Sequence, residues 1–199
     1  GGSTNFAFQN TPSITLISEN KGSTELVVPT NNRSTERPHS SSDGRMIVYE
    51  ETDNIGNQQI FLIDTILNGL PLLISHSYLN QIAGGNGDSF RPRVSADGST
   101  VVFHSQASDL IPGDQNGHGD VFLYKIFTQQ LSRAQNTSSG EEPNDNSYYP
   151  DLNLDGSIVV FESEATNMQD NGAVNFSRQI FLWDLKAGGN GLIRAVTNG

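Results

Sequence analysis

The chain has 199 residues, 34% of them hydrophobic, and carries 22 acidic against 11 basic side chains with no cysteine. That length fits one globular domain, and the acidic balance argues against nucleic acid as a partner, because phosphate binding needs a surplus of lysine and arginine. No apolar run approaches the roughly 20 residues that span a bilayer, and without cysteine there are no disulfides and no cysteine-bound zinc.

The first predicted element is a strand at residues 13–18, with the sequence SITLIS. No stretch of the chain keeps the i, i+3, i+4, i+7 apolar spacing of a helix over three turns. Asparagine, serine and glycine are abundant, which suits short strands joined by tight turns. We therefore predict an all-β fold.

Three further units follow along the chain and repeat one pattern. Each has a proline five residues before an Asp-Gly pair, and an aromatic residue six residues after that aspartate. The prolines and aromatics are Pro38, Pro92 and Pro150, and Tyr49, Phe103 and Phe161. A second apolar block recurs at 59–64, 120–125 and 179–184, and a third at 71–75, 130–134 and 191–197.

Each unit predicts a four-stranded antiparallel sheet. Asp-Gly is the preferred pair of a two-residue type I′ hairpin, in which both central residues need positive φ. The unbroken apolar run before each aromatic indicates a strand buried on both faces. The proline lacks one hydrogen-bond donor and belongs at the start or edge of its strand.

These motifs carry a family resemblance. The second unit reads Pro-Arg-Val-Ser-Ala-Asp-Gly from Pro92, then Val-Val-Phe at 101–103, then Asp-Val-Phe-Leu-Tyr at 120–124. This pattern resembles the repeat of the TolB-like (WD-like repeat) β-propellers over residues 31–199. The first unit departs from it, because Ser42 stands where the pattern prefers alanine. The resemblance implies β-propeller blades of four antiparallel strands.

The repeats divide the chain into an N-terminal segment, 1–30, with the closing strand of an incomplete blade, and blades at 31–78, 79–136 and 137–199. Propellers usually close with four to eight blades. About three blades plus one extra strand therefore predict a partial propeller: a fragment of a larger ring, or one completed by other copies or a second chain. We favour association, because open terminal blades would expose apolar faces.

The strongest chemical signal is the loop GDQNGHGD at 113–120. Asp114, Asn116 and Asp120 place oxygen ligands at positions 1, 3 and 7, and His118 offers its carbonyl. Calcium takes six to eight such oxygens, and the loop resembles a calcium-loop variant found in some blades of this family. The alternative is a plain turn joining two strands.

The corresponding loops are poorer in ligands. The third unit offers Asp170 and Asn175, but Gln179 stands in the place of Asp120, and the first unit has Gln59 there. We therefore expect calcium at one strong site rather than at three equal ones.

The residues after the three prolines are His39, Arg93 and Asp151. If the first strand of each blade lines a central channel, they share a polar rim that binds a ligand; the alternative is ordinary solvated strand positions. We interpret the carboxylate pairs Glu50-Glu51, Asp109 with Asp114, and Glu141-Glu142 as solvating charges. His104 stands beside Phe103 and faces either solvent or a neighbouring blade.

No nucleophile elbow or phosphate-binding motif occurs, and we assign no catalytic residue. We predict a calcium-binding, extracellular or periplasmic β-propeller module that acts as a recognition or scaffold surface. A protein partner or self-association completes the propeller. The alternative is the propeller part of an enzyme. The resemblance implies a peptidase gating domain, or a lyase or hydrolase that uses His39, Arg93 and Asp151.

Overall fold

The computed structural model describes residues 34–67, 71–135, 139–168, 178–187 and 191–197. The predicted strand at 13–18 lies outside them. The described residues form fourteen strands and no helix. The strands are β1 (Thr35–Ser40), β2 (Met46–Thr52), β3 (Gln58–Asp64), β4 (Leu72–Leu73), β5 (His76–Ser77), β6 (Asn80–Gly84), β7 (Ser89–Val94), β8 (Thr100–Ser105), β9 (Asp120–Lys125), β10 (Gln130–Arg133), β11 (Ser147–Leu152), β12 (Ile158–Ser163), β13 (Gln179–Asp184) and β14 (Leu192–Ala195).

The strands form three four-stranded antiparallel sheets in simple sequential order. The first sheet is β1–β4, the second is β7–β10 and the third is β11–β14, while β5 and β6 pair separately. In each sheet the proline-bearing strand is an edge strand. The all-β prediction and the four-stranded units are confirmed.

The Asp-Gly turns differ from their prediction. Gly44 has positive φ, at 70°, but Asp43 does not, so the two-residue type I′ hairpin is wrong. The Gly44 N–H donates to the Ser41 carbonyl at 3.0 Å, and Asp43 Oδ1 accepts from Ser41 Oγ at 2.6 Å and from the Arg45 N–H at 3.0 Å. These side-chain hydrogen bonds stabilise a wider loop between the strands.

A β-bulge interrupts the first strand of every sheet, immediately before its proline. In β7 the pairing with β8 shifts between Phe90 and Arg93, and Arg91 adopts a positive φ of 55°. Arg37 and Tyr149 repeat this geometry, at 48° and 50°. Because the bulge lies on an edge strand, the missing proline N–H costs little pairing.

The core lies between successive sheets. Along β8, Val101 and Phe103 pack against the first sheet, and Val102 packs against the third. All three are fully buried, as the alternation of side chains along a strand requires. The predicted burial on both faces is confirmed for β8 but is wrong for β12, where Val160 is 38% exposed. Trp183 also lies in the core, at 4% exposure.

Hydrogen bonds join the first sheet to the second. Glu50 Oε1 accepts the Arg91 N–H at 2.6 Å, so the bulge of the second sheet is held by a carboxylate of the first. Both Glu50 oxygens also lie 3.3 Å from Arg37 Nη1. The Glu50 side chain is only 1% exposed, so its interpretation as a solvating charge is wrong.

Replacing Glu50 by alanine tests this link. Truncation leaves the Arg91 N–H without its partner in a partly buried setting, so we expect the free energy of unfolding to fall by about 1–3 kcal/mol. Glu162→Ala is the matched control. Glu162 occupies the corresponding position on β12, is 31% exposed and pairs with Arg178, and its loss should cost less than about 1 kcal/mol. Urea unfolding measures both, and equal losses would contradict the assigned role.

Candidate functional site

The loop between β8 and β9 buries two of its carboxylates. The side chains of Asp114 and Asp120 are 1% and 0% exposed. Gly113 and Gly117 adopt positive φ, at 82° and 71°, which lets the loop fold back on itself. Asn116 braces it, because its amide donates to Asp120 Oδ2 at 3.2 Å and its carbonyl accepts the His118 N–H at 2.8 Å.

A guanidinium from β10 lies among three carboxylates. Arg133 Nη1 is 3.1 Å from Asp114 Oδ1, 3.3 Å from Asp120 Oδ2 and 3.0 Å from Glu142 Oε2. We call these four residues the acidic cluster. Three carboxylates face one guanidinium, so the cluster carries an excess of buried negative charge.

The cluster is not fully satisfied. Both Asp114 oxygens, Asp120 Oδ1 and Arg133 Nε are buried without a hydrogen-bond partner. The 3.1 Å contact of Asp114 with the guanidinium is an ion pair without hydrogen-bond geometry. Buried polar atoms are almost always paired, so the three orphaned carboxylate oxygens mark a place where a further positively charged or donor group would be stabilised.

The pKa values report the same excess of charge. Burial raises the pKa of Asp120 to about 7, a shift that Arg133 opposes and Asp114 reinforces. Burial also raises the pKa of Asp114. Burial acts in the same direction on Glu142, but the Gln115 N–H and the Arg133 guanidinium outweigh it and lower the pKa of Glu142. One arginine therefore does not compensate the burial of both aspartates.

The first sheet offers an internal comparison. Gln59 takes the position of Asp120 and is fully buried. Its Oε1 accepts from Ser75 Oγ at 2.6 Å, and its Nε2 donates to the Gly85 carbonyl at 2.9 Å and to Asp53 Oδ2 at 3.3 Å. A neutral amide satisfies the same place there, without excess charge.

The predicted ligands converge in part. Asp114 and Asp120 meet in the cluster, and Asn116 contacts it. The His118 ring points to Asp145, with Nδ1 3.7 Å from Oδ1, and its carbonyl remains the predicted contribution. Asp170 and Asn175 lie outside the described residues.

Sequence reasoning missed Glu142 and Arg133. The interpretation of Glu142 as a solvating charge, and the same interpretation of Asp114 beside Asp109, is wrong, because both side chains contact Arg133 in the cluster. Arg133 could have been noticed in the sequence. It lies on the fourth strand of its sheet, opposite Phe122, and the equivalent positions of the other two sheets hold the apolar residues Leu73 and Ala195. A charged residue in an otherwise apolar strand position indicates a buried partner.

The three carboxylates surround Arg133 Nη1, at distances typical of contacts between nitrogen and oxygen. They lie 3.0–3.3 Å from Arg133 Nη1, whereas calcium–oxygen distances are about 2.3–2.6 Å. Within the described ranges, no group of three or more histidine, aspartate or glutamate side chains already has metal-binding geometry. The donor set and the orphaned oxygens fit calcium, and the spacing fits the guanidinium.

The polar rim residues occupy equivalent positions on β1, β7 and β11. The pKa of His39 is lowered by burial and by Arg93, and Asp151 opposes that shift, so all three lie within electrostatic reach. His39 Nδ1 accepts the Val94 N–H at 3.2 Å, which leaves its proton on Nε2. Arg93 and Asp151 therefore both act electrostatically on His39.

His104 faces the neighbouring sheet rather than solvent. Its ring stacks on Phe90 at 6.0 Å and meets Tyr148 of the third sheet at 5.4 Å. Burial, with a smaller contribution from Arg91, lowers its pKa to about 4. The ring is therefore neutral at physiological pH and serves as a packing group between sheets.

Comparison with known proteins identifies the fold. No family model and no curated protein matches the chain, but solved β-propeller structures do. The propeller domain of the Trilobed protease from Pyrococcus furiosus is 11% identical with a TM-score of 0.52, over 83% of this chain and 43% of that one. The tricorn protease is 16% identical with a TM-score of 0.51, over 78% and 14%.

These matches define the fold as that of a β-propeller, which confirms the predicted architecture. TolB from Acinetobacter baumannii is also similar, at 21% identity and a TM-score of 0.49, over 82% of this chain and 32% of TolB. The chain spans less than half the length of each of these proteins. None of the described segments is an apolar helix of membrane-spanning length.

The buried His104 predicts a pH-dependent stability. Its pKa is about 6.5 when unfolded and about 4 when folded, so the unfolded chain binds the extra proton as pH falls between these values. Stability from this residue is complete above pH 6.5 and decreases by up to about 3 kcal/mol toward pH 4.

Chemical unfolding at pH 7, 6 and 5 measures this effect. The variant His104→Gln should show a shallower loss of stability than the wild type, whereas the control His76→Gln, on the β5–β6 pair, should follow the wild-type curve. Parallel curves for wild type and His104→Gln would contradict the assignment.

Proposed function

We propose that this chain is an extracellular or periplasmic β-propeller module that acts as a recognition or scaffold surface, and that it docks through the outer face of its third sheet. We call this surface the open face. It consists of Ile158, Val160, Ile180, Leu182 and Leu192. The observation that carries the proposal is the exposure of apolar side chains at positions that are buried elsewhere in the repeat.

The second sheet supplies the comparison. Val102 and Val121 face the third sheet and are fully buried. Their counterparts on the third sheet, Val160 and Ile180, are 38% and 36% exposed, and Leu192 is 47% exposed. A sheet face with the same apolar pattern as a buried one supports an interaction with another protein surface.

Polar groups at the margin support the same role. Glu162 occupies the position of Glu50, whose carboxylate accepts a backbone N–H of the following sheet. Glu162 lies at the edge of the open face, half-buried and paired with Arg178 at 3.2 Å. A docked sheet of this repeat would therefore meet an acceptor already in place. A second copy or a protein partner fits this surface.

Self-association through the open face is testable by sedimentation velocity. We expect the wild type to form dimers or larger species at micromolar concentration, and Val160→Asp with Ile180→Asp to shift it to monomer, because charge on an apolar contact is costly to bury. Leu154→Asp is the control, since Leu154 is 77% exposed in a turn of the same sheet. A compact wild-type monomer would contradict self-association.

We also propose that the acidic cluster binds calcium, with Asp114, Asp120 and Glu142 as carboxylate ligands and the loop around Asn116 and His118 supplying further oxygens. The orphaned oxygens of Asp114 and Asp120 support this proposal. Bound calcium would supply positive charge that orders the loop. The satisfied amide of Gln59 supports a single site rather than one in every blade.

Calcium should raise the melting temperature. For dissociation constants of about 10⁻⁴–10⁻³ M, 10 mM calcium stabilises by about 1–3 kcal/mol, which corresponds to roughly 3–10 °C for a chain of this size. Asp114→Ala with Asp120→Ala should abolish the shift, and the control Asp53→Ala, in the corresponding loop of the first sheet, should keep it. Scanning calorimetry with calcium and with a chelator measures this, and no shift in the wild type would refute the proposal.

The alternative, an enzymatic role, rests on the polar rim. Its support is that Arg93 and Asp151 both lie within electrostatic reach of His39. Against it, His39 Nδ1 accepts the Val94 N–H, so the neutral ring offers a donor at Nε2 and no free nitrogen to act as a base.

A further inference from the structure

We infer that Arg133 and a divalent cation compete for one place in the acidic cluster, so that Arg133 acts as an internal counter-ion that regulates calcium binding. This inference rests on the proposed calcium site and adds a residue that controls it. The class of ligand is a hard divalent cation, with calcium as the probe.

The Arg133 guanidinium lies between the three carboxylates of the cluster. Nη1 lies 3.0–3.3 Å from oxygens of Asp114, Asp120 and Glu142, which come from three separate points of the chain. A contraction of roughly 0.4–1.0 Å would bring those oxygens to calcium–oxygen distances. Nη1 therefore stands where a cation with the same three ligands would stand.

The guanidinium satisfies only part of the cluster. Nη1 carries two hydrogens, and it donates them to Asp120 and Glu142. Asp114, its side chain 1% exposed, is left with both oxygens unpaired, and Arg133 Nε is buried without a partner. Calcium takes six to eight oxygen ligands, so one ion could contact all three carboxylates, including the Asp114 oxygens that the guanidinium leaves unpaired.

The cluster has one side that is partly open to solvent. Glu142 is the exposed member of the cluster, with a side chain 29% exposed, against 0–4% for the other three residues. The side of the cluster that Glu142 closes is therefore the side nearest to solvent. On this inference, the guanidinium leaves and an ion enters on the side of Glu142.

The corresponding place in the first sheet holds a neutral side chain. There the Gln59 amide fills the place with hydrogen bonds to Asp53 and Gly85. Gly84 takes the position of Glu142, and a Cβ on it would lie 2.7 Å from Gln59 Nε2. That site is closed by a fixed neutral group, whereas the second sheet combines three carboxylates with a displaceable positive one.

The test removes the positive charge of Arg133 and keeps an unbranched, flexible side chain at that position. Arg133→Met, in the full chain, is titrated with calcium alone by isothermal titration calorimetry beside the wild type. We expect at least tenfold tighter calcium binding in the variant, together with a lower melting temperature in chelator. Arg194→Met, at an exposed position on β14, is the control and should bind calcium as the wild type does.

The outcomes separate this inference from the proposed calcium function. Equal or weaker binding by Arg133→Met overturns the competition and leaves the wild-type calcium site standing. Binding by the variant alone supports the competition and refutes calcium binding as a property of the wild type. No binding by either folded protein refutes both.

A folding defect in Arg133→Met is also informative. Circular dichroism in chelator and in 10 mM calcium then decides the matter. Recovery of the β-sheet spectrum in calcium supports the shared place, because the ion restores the missing charge. Failure to fold in both buffers overturns it.

Discussion

The stacking of the second sheet between its two neighbours is the constraint on which the rest of the molecule depends. Along β8, alternate side chains enter different cores, with Val101 on one side and Val102 on the other. A shift of one residue in the pairing would turn every side chain of β8 to the opposite face, so that each core would receive the side chains that belong to the other. The sheet therefore fixes the register of both neighbours, and the loop that carries the acidic cluster inherits its position from β9.

Polar links follow the same geometry. The bulge at Arg91 turns its N–H out of the ladder and toward Glu50 of the first sheet, so one irregularity of a strand becomes a contact between sheets. Arg91 also lies over the ring of Tyr149 at 4.4 Å, which extends the link to the third sheet. Packing and hydrogen bonding thus specify one spacing, and the rim residues that follow each proline are placed by it.

The three four-stranded sheets could be predicted from the sequence, because each unit contains the whole pattern within a short segment: a proline, an Asp-Gly pair and an apolar run. The turn type was missed although its cause is local, because Ser41, two residues away, donates to Asp43. The burial of Glu50 could not be predicted, because its backbone donor lies in the next sheet. Within the cluster, Asp114 and Asp120 share a loop and could be predicted, whereas Arg133 and Glu142 join it only after the strands pair.

The prolines on the edge strands have a consequence for how the protein meets others. An unpaired strand edge is a template for adding a foreign strand, but β1, β7 and β11 each carry a proline and a bulge on that edge. Both features break the regular row of donors and acceptors that strand addition requires. Along these three edges a newcomer is hindered from extending the ladder, which leaves the opposite edges, β4, β10 and β14, none of which carries a proline, as the edges open to strand addition.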